Sequence, residues 1–554
     1  ATRAAAQFEA RGDPVQQGRA LWVLASVHNT RGQPADADRV AAQALTVGRR
    51  CGDLLGQGNA LNLLTFNSAD LAARLSLLKQ SLAAFEAAGY VERQGNVLLN
   101  LGRAHEALGL YPRARRLLLQ ALELMRSTGS AGPMLGANFT LAFFEARRNQ
   151  VDAARSYAAQ ALAQANSLQS TRATPYRAEL AGTLAMCEGD AKEAARQFER
   201  AARLVPKGQD ALLMTCLSDA AKAHLAAGHA EPALAASRRA TQLHIAKGMA
   251  VLDGLEPITL WWHHSQVLQQ SGLGFEAHEA LRHAYRFLCE RIHGLGDEGL
   301  RRNFLNKKRE HREIVLAWLH AARERHLPLP QRQAHLSGKA NLREPFERLV
   351  GSGVRLNELR HAKDICEFLV DEASELSGAE RVLLVIEANG ALQIAGACLP
   401  AGEDAQALLG VVTPWLVETR HTRSASLRHG PGGADPIEQR GCLIAPLIAQ
   451  RELLGYLYVD LDGAFGRLHE TDRDLAAMLA SQAAAALTDA YWGQALEAKV
   501  AQRTAELEQR ANELAIINSI QQGMATRQRP HAVFLGYVHS IEHGLGGVGN
   551  KRLR

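Results

Sequence analysis

The 554 residues are enough for roughly three or four domains, and 47% hydrophobic with 22% charged residues is ordinary for a globular chain. No apolar run reaches the ~18 residues that would span a bilayer, and no signal peptide is visible, so neither a membrane nor a secreted protein is expected. Of the net charge of +6, the last 29 residues carry +4 (Arg527, Arg529, Lys551, Arg552 and Arg554 against Glu542), which leaves +2 for the other 525 and excludes the basic face of a nucleic-acid-binding domain.

The first half carries a repeat. A Gly, once Asn, is followed five residues later by Ala: Gly32/Ala37, Gly109/Ala114, Asn149/Ala154, Gly189/Ala194, Gly228/Ala233 and Gly272/Ala277. Seven residues beyond each pair stands another Ala: Ala44, Ala121, Ala161, Ala201, Ala240 and Ala284. One looser unit puts Ser81 in that last position. A constant period of about forty residues predicts stacked helix pairs. Gly closes the turn between the helices, and Ala lets their backbones approach. The unit Leu101-Gly102, Ala104, Gly109, Tyr111, Ala114, Ala121-Leu122 resembles the tetratricopeptide repeat, in the longer form found in bacterial regulators. The resemblance covers about 15–325 and implies a solenoid that binds a protein or peptide.

The repeats end near Leu281–Arg291. The charged run Asp297–Asn306 leads into a helix ending around Ala322, read as capping the last apolar face and completing an all-α array over 1–325. Leu327-Pro328-Leu329-Pro330 opens a linker, 326–341, because proline removes backbone donors. The pattern then changes. Residues 342–376 read as helical. A β-rich run, Arg381–Glu387, is followed by the turn signal Asn389-Gly390 and a return strand, Leu392–Leu399. A helix is predicted over about 403–419 and a loop over 423–440. Two more strands, Cys442–Ala449 and Leu453–Asp462, precede a helix from about Glu470 to Trp492, with Thr471 or Asp472 near its start. This is an α+β domain. The runs Cys442-Leu-Ile-Ala-Pro-Leu-Ile and Leu453-Leu-Gly-Tyr-Leu-Tyr-Val-Asp-Leu, with Phe465 and Glu470-Thr-Asp-Arg-Asp-Leu-Ala, resemble the strand pair and final helix of a GAF domain over 342–493.

Past Trp492, Leu496, Val500, Leu507, Leu514 and Ile517 form a heptad-like seam over 494–525, interrupted by Arg503 and Arg510. It resembles the signalling helices that join sensor to output modules, and implies a parallel homodimer through 470–524. Residues 526–554 read as an irregular, basic, Gly-rich tail. With a start at Ala1 rather than Met, they suggest a fragment whose output module is missing.

Sequence offers little chemistry. In the Gly-rich run Gly544–Lys551, Asn550 separates the last Gly from Lys551, so it is not a phosphate loop. Seven dispersed cysteines without a C-x-x-C pair exclude a zinc cluster or disulfide framework and point to a reducing, cytoplasmic setting. His263 and His264, in Trp261-Trp262-His263-His264, diverge by about 100° on one helix and read as a packed or solvated face rather than a metal site. Glu372 and Glu375 are expected on a solvated face. The GAF resemblance implies a small-molecule pocket between the sheet and its covering helix and loop, drawing on Cys398, Trp415, Cys442, Tyr456, Tyr458 and the 423–440 loop. It leaves the ligand unnamed, because neither the acid-and-Asn motif of cyclic-nucleotide-binding members nor a bilin-tethering Cys is seen. Cys398 and Cys442 read as core thiols. No nucleophile–base set, and hence no catalytic residue, emerges. The expected protein is a cytoplasmic, non-enzymatic sensor or regulator. The alternatives are a scaffold with a purely structural GAF domain, or the N-terminal part of a sensor histidine kinase or nucleotide cyclase.

Overall fold

Helices paired by tight turns build the first half. The computed structural model describes residues 1–525 apart from 171–172, 339–340, 389, 401 and 433–434; the tail, its Gly544–Lys551 run and Asn389 lie outside the described residues. After a first helix, Thr2–Ala10, come hairpins Pro14–Cys51, Leu54–Ala87, Val91–Ser127, Ala131–Ser167, Ala173–Leu204, Asp210–Ala246 and Pro257–Ile292. All twelve repeat alanines are buried, six near the start of the second helix of a hairpin and six two turns later. Ser81 fits the same buried slot because its hydroxyl donates to the Gly58 carbonyl at 2.8 Å.

The turns reveal a shorter period. Gly32, Gly109, Asn149, Gly189, Gly228 and Gly272 all have positive φ, and so do the turns between hairpins, at Gly52, Gly89, Gly129, Gln169, Gly208 and Gly248. The left-handed residue therefore returns about every twenty residues, just past most helix C-termini; the helix ending at Leu64 is the exception.

Beyond the hairpins lie a short closing helix, Glu298–Asn306, and a helix Arg309–Glu324. Within the proline-rich linker, Leu329–Arg332 forms a helical turn and Ala334–Leu336 a 3-10 turn. The predicted helical stretch 342–376 is two helices, Arg343–Glu358 and Ala362–Ser377.

Five antiparallel strands follow: β1 Arg381–Ala388, β2 Ala391–Cys398, β3 Ser426–Gly430, β4 Arg440–Ala449 and β5 Glu452–Asp462, in the order β2-β1-β5-β4-β3. β3 corrects the expected 423–440 loop. Its Gly and Pro neighbours hide it in sequence, and it becomes a strand by pairing along β4, Ser426 with Ile444 through Gly430 with Arg440. Pro446 lies beyond the reach of β3, where β4 has a strand on one side only and a missing N–H is tolerated. Gly455 is required because a Cβ there would overlap the Val385 carbonyl across the β1–β5 pair. The Ala405–Thr422 helix covers one sheet face. The other is covered by Ala362–Ser377 and the first half of a 56-residue helix, Glu470–Ala525. Strand alternation divides the core. Leu383, Val385, Ile444, Tyr456 and Tyr458 face the first helix, while Leu384, Leu443, Ala445, Leu457 and Val459 face the second layer. That second core runs without a break into Phe304, Trp318 and Trp261 of the array.

Candidate functional site

Of the five residues predicted for a pocket, four share one sheet face. Cys442 on β4 and Tyr456 and Tyr458 on β5 are buried under the Ala405–Thr422 helix, where Trp415 packs half-buried, with the Arg428 guanidinium 5.9 Å from its ring centre. Cys398 is not with them. It ends β2 facing the opposite layer, with its sulfur 4.0 Å from Ser374 Oγ. A β-bulge decides this: Leu384 pairs with Gly396 but Val385 with Ile394, so one extra residue on β2 turns Gly396 and Cys398 toward the other core, while Leu392 and Ile394, of the same parity, stay on the Tyr face. The shared face is filled by Leu383, Val385, Leu408, Val412, Leu416 and Ile444.

The polar end of this face is a charge cluster absent from the sequence reading. Asp460 is fully buried. Arg381 Nε donates to its two oxygens at 2.9 and 2.8 Å, Arg440 Nη1 at 2.7 Å and the Tyr458 hydroxyl at 2.6 Å. Burial alone would lower the Arg381 pKa, but the hydrogen bonds and charge of Asp460 raise it. Burial, then Asp460, pushes the Tyr458 pKa up, and the same two causes push Cys442 up to about 11, so its thiol stays protonated and unreactive at neutral pH. Burial, then Glu387, pushes Tyr456 up to about 12. An Asp at the same strand parity as the two tyrosines was the available signal. Its partners come from β1 and β4 and could not be inferred locally.

A second polar region joins the two domains. The residues Gly299–Asn306 of the closing helix are all buried. Arg302 Nη1 donates to Asp472 Oδ1 at 2.8 Å and to the Ser377 carbonyl at 3.0 Å; Nη2 donates to Asp472 Oδ2 at 3.1 Å, Glu298 at 2.7 Å and the Arg467 carbonyl at 2.5 Å. Asn303 and Asn306 donate to the carbonyls of Glu375 and Gly378, each at 2.8 Å. Arg312 pairs with Glu380. His335 bridges Tyr285 OH (2.7 Å) and the Ala464 carbonyl (2.9 Å). Glu372 and Glu375 correct the expected solvated face. They are 2% and 4% exposed and face Arg113 of the third hairpin, whose nitrogens lie 3.5 and 3.1 Å away. The Trp-Trp-His-His run is fully packed: Ser218 and Ser237 meet His263 and His264 at 2.9 and 3.0 Å. Among the described residues, no group of three His, Cys, Asp or Glu is arranged to hold a metal, all seven cysteines are free, and no helix is long and apolar enough to cross a membrane.

Residues 361–487 match the sequence model of the GAF domain. Regulatory protein AfsR of Streptomyces griseus is 34% identical over 138 residues, which are 24% of this chain and 14% of AfsR, so the match spans about a seventh of that relative. Among solved structures, a Rap protein complexed with competence and sporulation factor is 11% identical, covering 58% of this chain and 95% of that one with a TM-score of 0.37. The GAF domain of the cyanobacteriochrome TePixJ is 20% identical, covering 25% of this chain and 95% of that one with a TM-score of 0.21. The sequence match shows that the chain carries a GAF domain at 361–487, and it stands behind a tetratricopeptide-like helical array.

Proposed function

We propose that this chain is a cytoplasmic signal-transduction regulator. Its array binds a protein or peptide partner. Its GAF domain passes that event, or a ligand of its own, along a helix paired with a second copy, toward an output module that carries any catalysis. The observation that carries this reading is the helix Glu470–Ala525. Leu475, Leu479, Ala483 and Leu487 bury its first half against the GAF core. From Trp492 (71% exposed) the apolar positions Leu496, Val500, Leu507 (64%), Leu514 and Ile517 lie open to water at heptad spacing. Such a seam is stabilised when it packs against its twin. Light scattering on the full chain tests it. A dimer that becomes a monomer in the double variant Leu507→Glu/Leu514→Glu supports the relay; a monomeric wild type rejects it in favour of the scaffold.

The packing under the Ala405–Thr422 helix favours a relay over a ligand sensor, because Tyr456, Tyr458, Leu408 and Val412 occupy the space a ligand would take. Native mass spectrometry of the full chain purified from cells distinguishes the two: a discrete mass surplus would restore ligand sensing.

A further inference from the structure

The segment after the last hairpin touches the beginning of its own array. Arg291 Nη1 donates to the carbonyls of Ser68 and Ala69 at 2.8 and 2.9 Å, and the Gly294 N–H donates to Asp70 Oδ2 at 2.6 Å. One hairpin later, Tyr111 OH donates to the Lys307 carbonyl at 3.4 Å, and a Cβ on Gly109 would lie 2.5 Å from Lys307 Cβ. The superhelix thus curls back until its second and third hairpins meet residues 291–307. Solenoid curvature is a sum of small rotations between successive hairpins. Here both ends of that sum rest on one segment, so a change of pitch over the intervening hairpins must displace the closing helix.

That helix also holds the start of the outgoing one. Asp472 sits in the first turn of Glu470–Ala525, and its Oδ2 accepts the His469 N–H at 2.7 Å, the backward half of a capping box. The same carboxylate is gripped by both Nη atoms of Arg302. The arrangement is reciprocal. Asp297 caps the closing helix by accepting Leu300 N–H at 3.0 Å, and its other oxygen accepts at 2.9 Å from Arg348 of the helix Arg343–Glu358, which packs on the GAF domain from just before it. On each side of the junction an arginine holds the carboxylate that caps a helix of the other side. A two-pronged guanidinium–carboxylate pair depends steeply on geometry, and breaking it strands two buried charges.

We propose that Arg302 is a latch that reads array curvature: closed, it clamps and caps the outgoing helix; when the closing helix shifts, it releases Asp472 and loosens that helix's first turn. An occupant of the array would act by changing its pitch. The latch requires neither a known partner nor a dimer, so it stands or falls separately from the signalling role above.

Hydrogen exchange read by mass spectrometry on the full chain tests it. Arg302→Met is expected to speed exchange in peptides spanning 468–476 at least tenfold and leave strand peptides at 382–386 and 456–459 unchanged. Gly109→Asn supplies a distant wedge. The turn should accept it, since Asn149 holds φ of 59° at the equivalent position, while its Cβ presses on Lys307. It is expected to speed exchange at 468–476 at least threefold with Arg302 present and to add nothing in the Arg302→Met background. The proposal is overturned if Gly109→Asn leaves 468–476 unchanged, or acts equally without Arg302. Should Arg302→Met open the strands as well, Asp472→Asn, which keeps an oxygen for His469 N–H but drops the charge, replaces it, and the same two outcomes decide.

Discussion

Arg302 and Asp472 are 170 residues apart in sequence, yet both guanidinium Nη atoms meet both carboxylate oxygens, at 2.8 and 3.1 Å, in a buried seam between array and GAF domain. The contact is made by two helix ends, so it fixes direction as well as distance. Replacing Asp472 with Ala leaves Arg302 buried and half-unpaired and removes a cap. The expected loss is about 3–5 kcal/mol in the unfolding transition of the GAF domain. Urea unfolding followed by a probe in residues 361–487 measures it; a loss under about 1 kcal/mol would mark the pair as a surface-like contact.

Gly299 offers a test whose sign is diagnostic. It lies inside a helix without positive φ, where Ala should stabilise by about 1 kcal/mol. Its Cβ, however, would overlap the Leu376 carbonyl of the GAF helix. Gly299→Ala is therefore expected to destabilise, by about 1–3 kcal/mol, and to expose the seam to limited proteolysis. Added stability would show that the two helices are not held this close in solution.

At Asp460, Tyr458→Phe removes one neutral donor from a carboxylate that keeps both arginines. The expected cost is about 1.5–3 kcal/mol. Asp460→Asn leaves Arg381 and Arg440 facing a neutral group and should cost more, about 3–5 kcal/mol. Thermal unfolding of both variants gives the order; the reverse order would mean that the hydroxyl, not the charge, organises the cluster.

Acid should loosen the junction. Burial lowers the pKa of His335 and of His311 to about 4, each beside further cations, Arg301 for His335 and Lys308 for His311. Both are neutral when folded and take up a proton more readily when unfolded, near 6.5. Their contribution is therefore complete above about pH 6.5 and is lost as pH falls toward 4, by about 1.4 kcal/mol per pH unit for each. Urea midpoints measured from pH 7 to 4.5 should fall across that window. A flat profile would place these imidazoles in contact with water.

Local periodicity was enough to read the array, since the small residue at each helix crossing and the left-handed residue at each turn are set by neighbours in sequence. Gly109 and Asn149 serve the same turn for the same reason. The α+β class and strands β1, β2, β4 and β5 were legible from alternation and turn residues. β3 was not, because a five-residue strand between Gly- and Pro-rich segments has no pattern of its own until β4 pairs with it. The grouping of Trp415, Cys442, Tyr456 and Tyr458 followed from the GAF resemblance; strand parity accounts for Tyr456 and Tyr458 sharing a face, and Trp415 reaches it from the covering helix. Cys398 was misplaced because its face depends on how β2 lies against β1.

By itself the sequence determined which segments become hairpins, strands β1, β2, β4 and β5 and the outgoing helix, because those depend on residues within one or two turns of each other. Only the tertiary structure decided that Asp460 would collect Arg381 and Arg440, that Glu372 and Glu375 would be buried against Arg113, and that the array would curl back to place Arg302 on Asp472. Those are charges brought together over 20 to 262 residues of chain. No local pattern announces them, since a buried charge looks like a solvated one until its partner arrives.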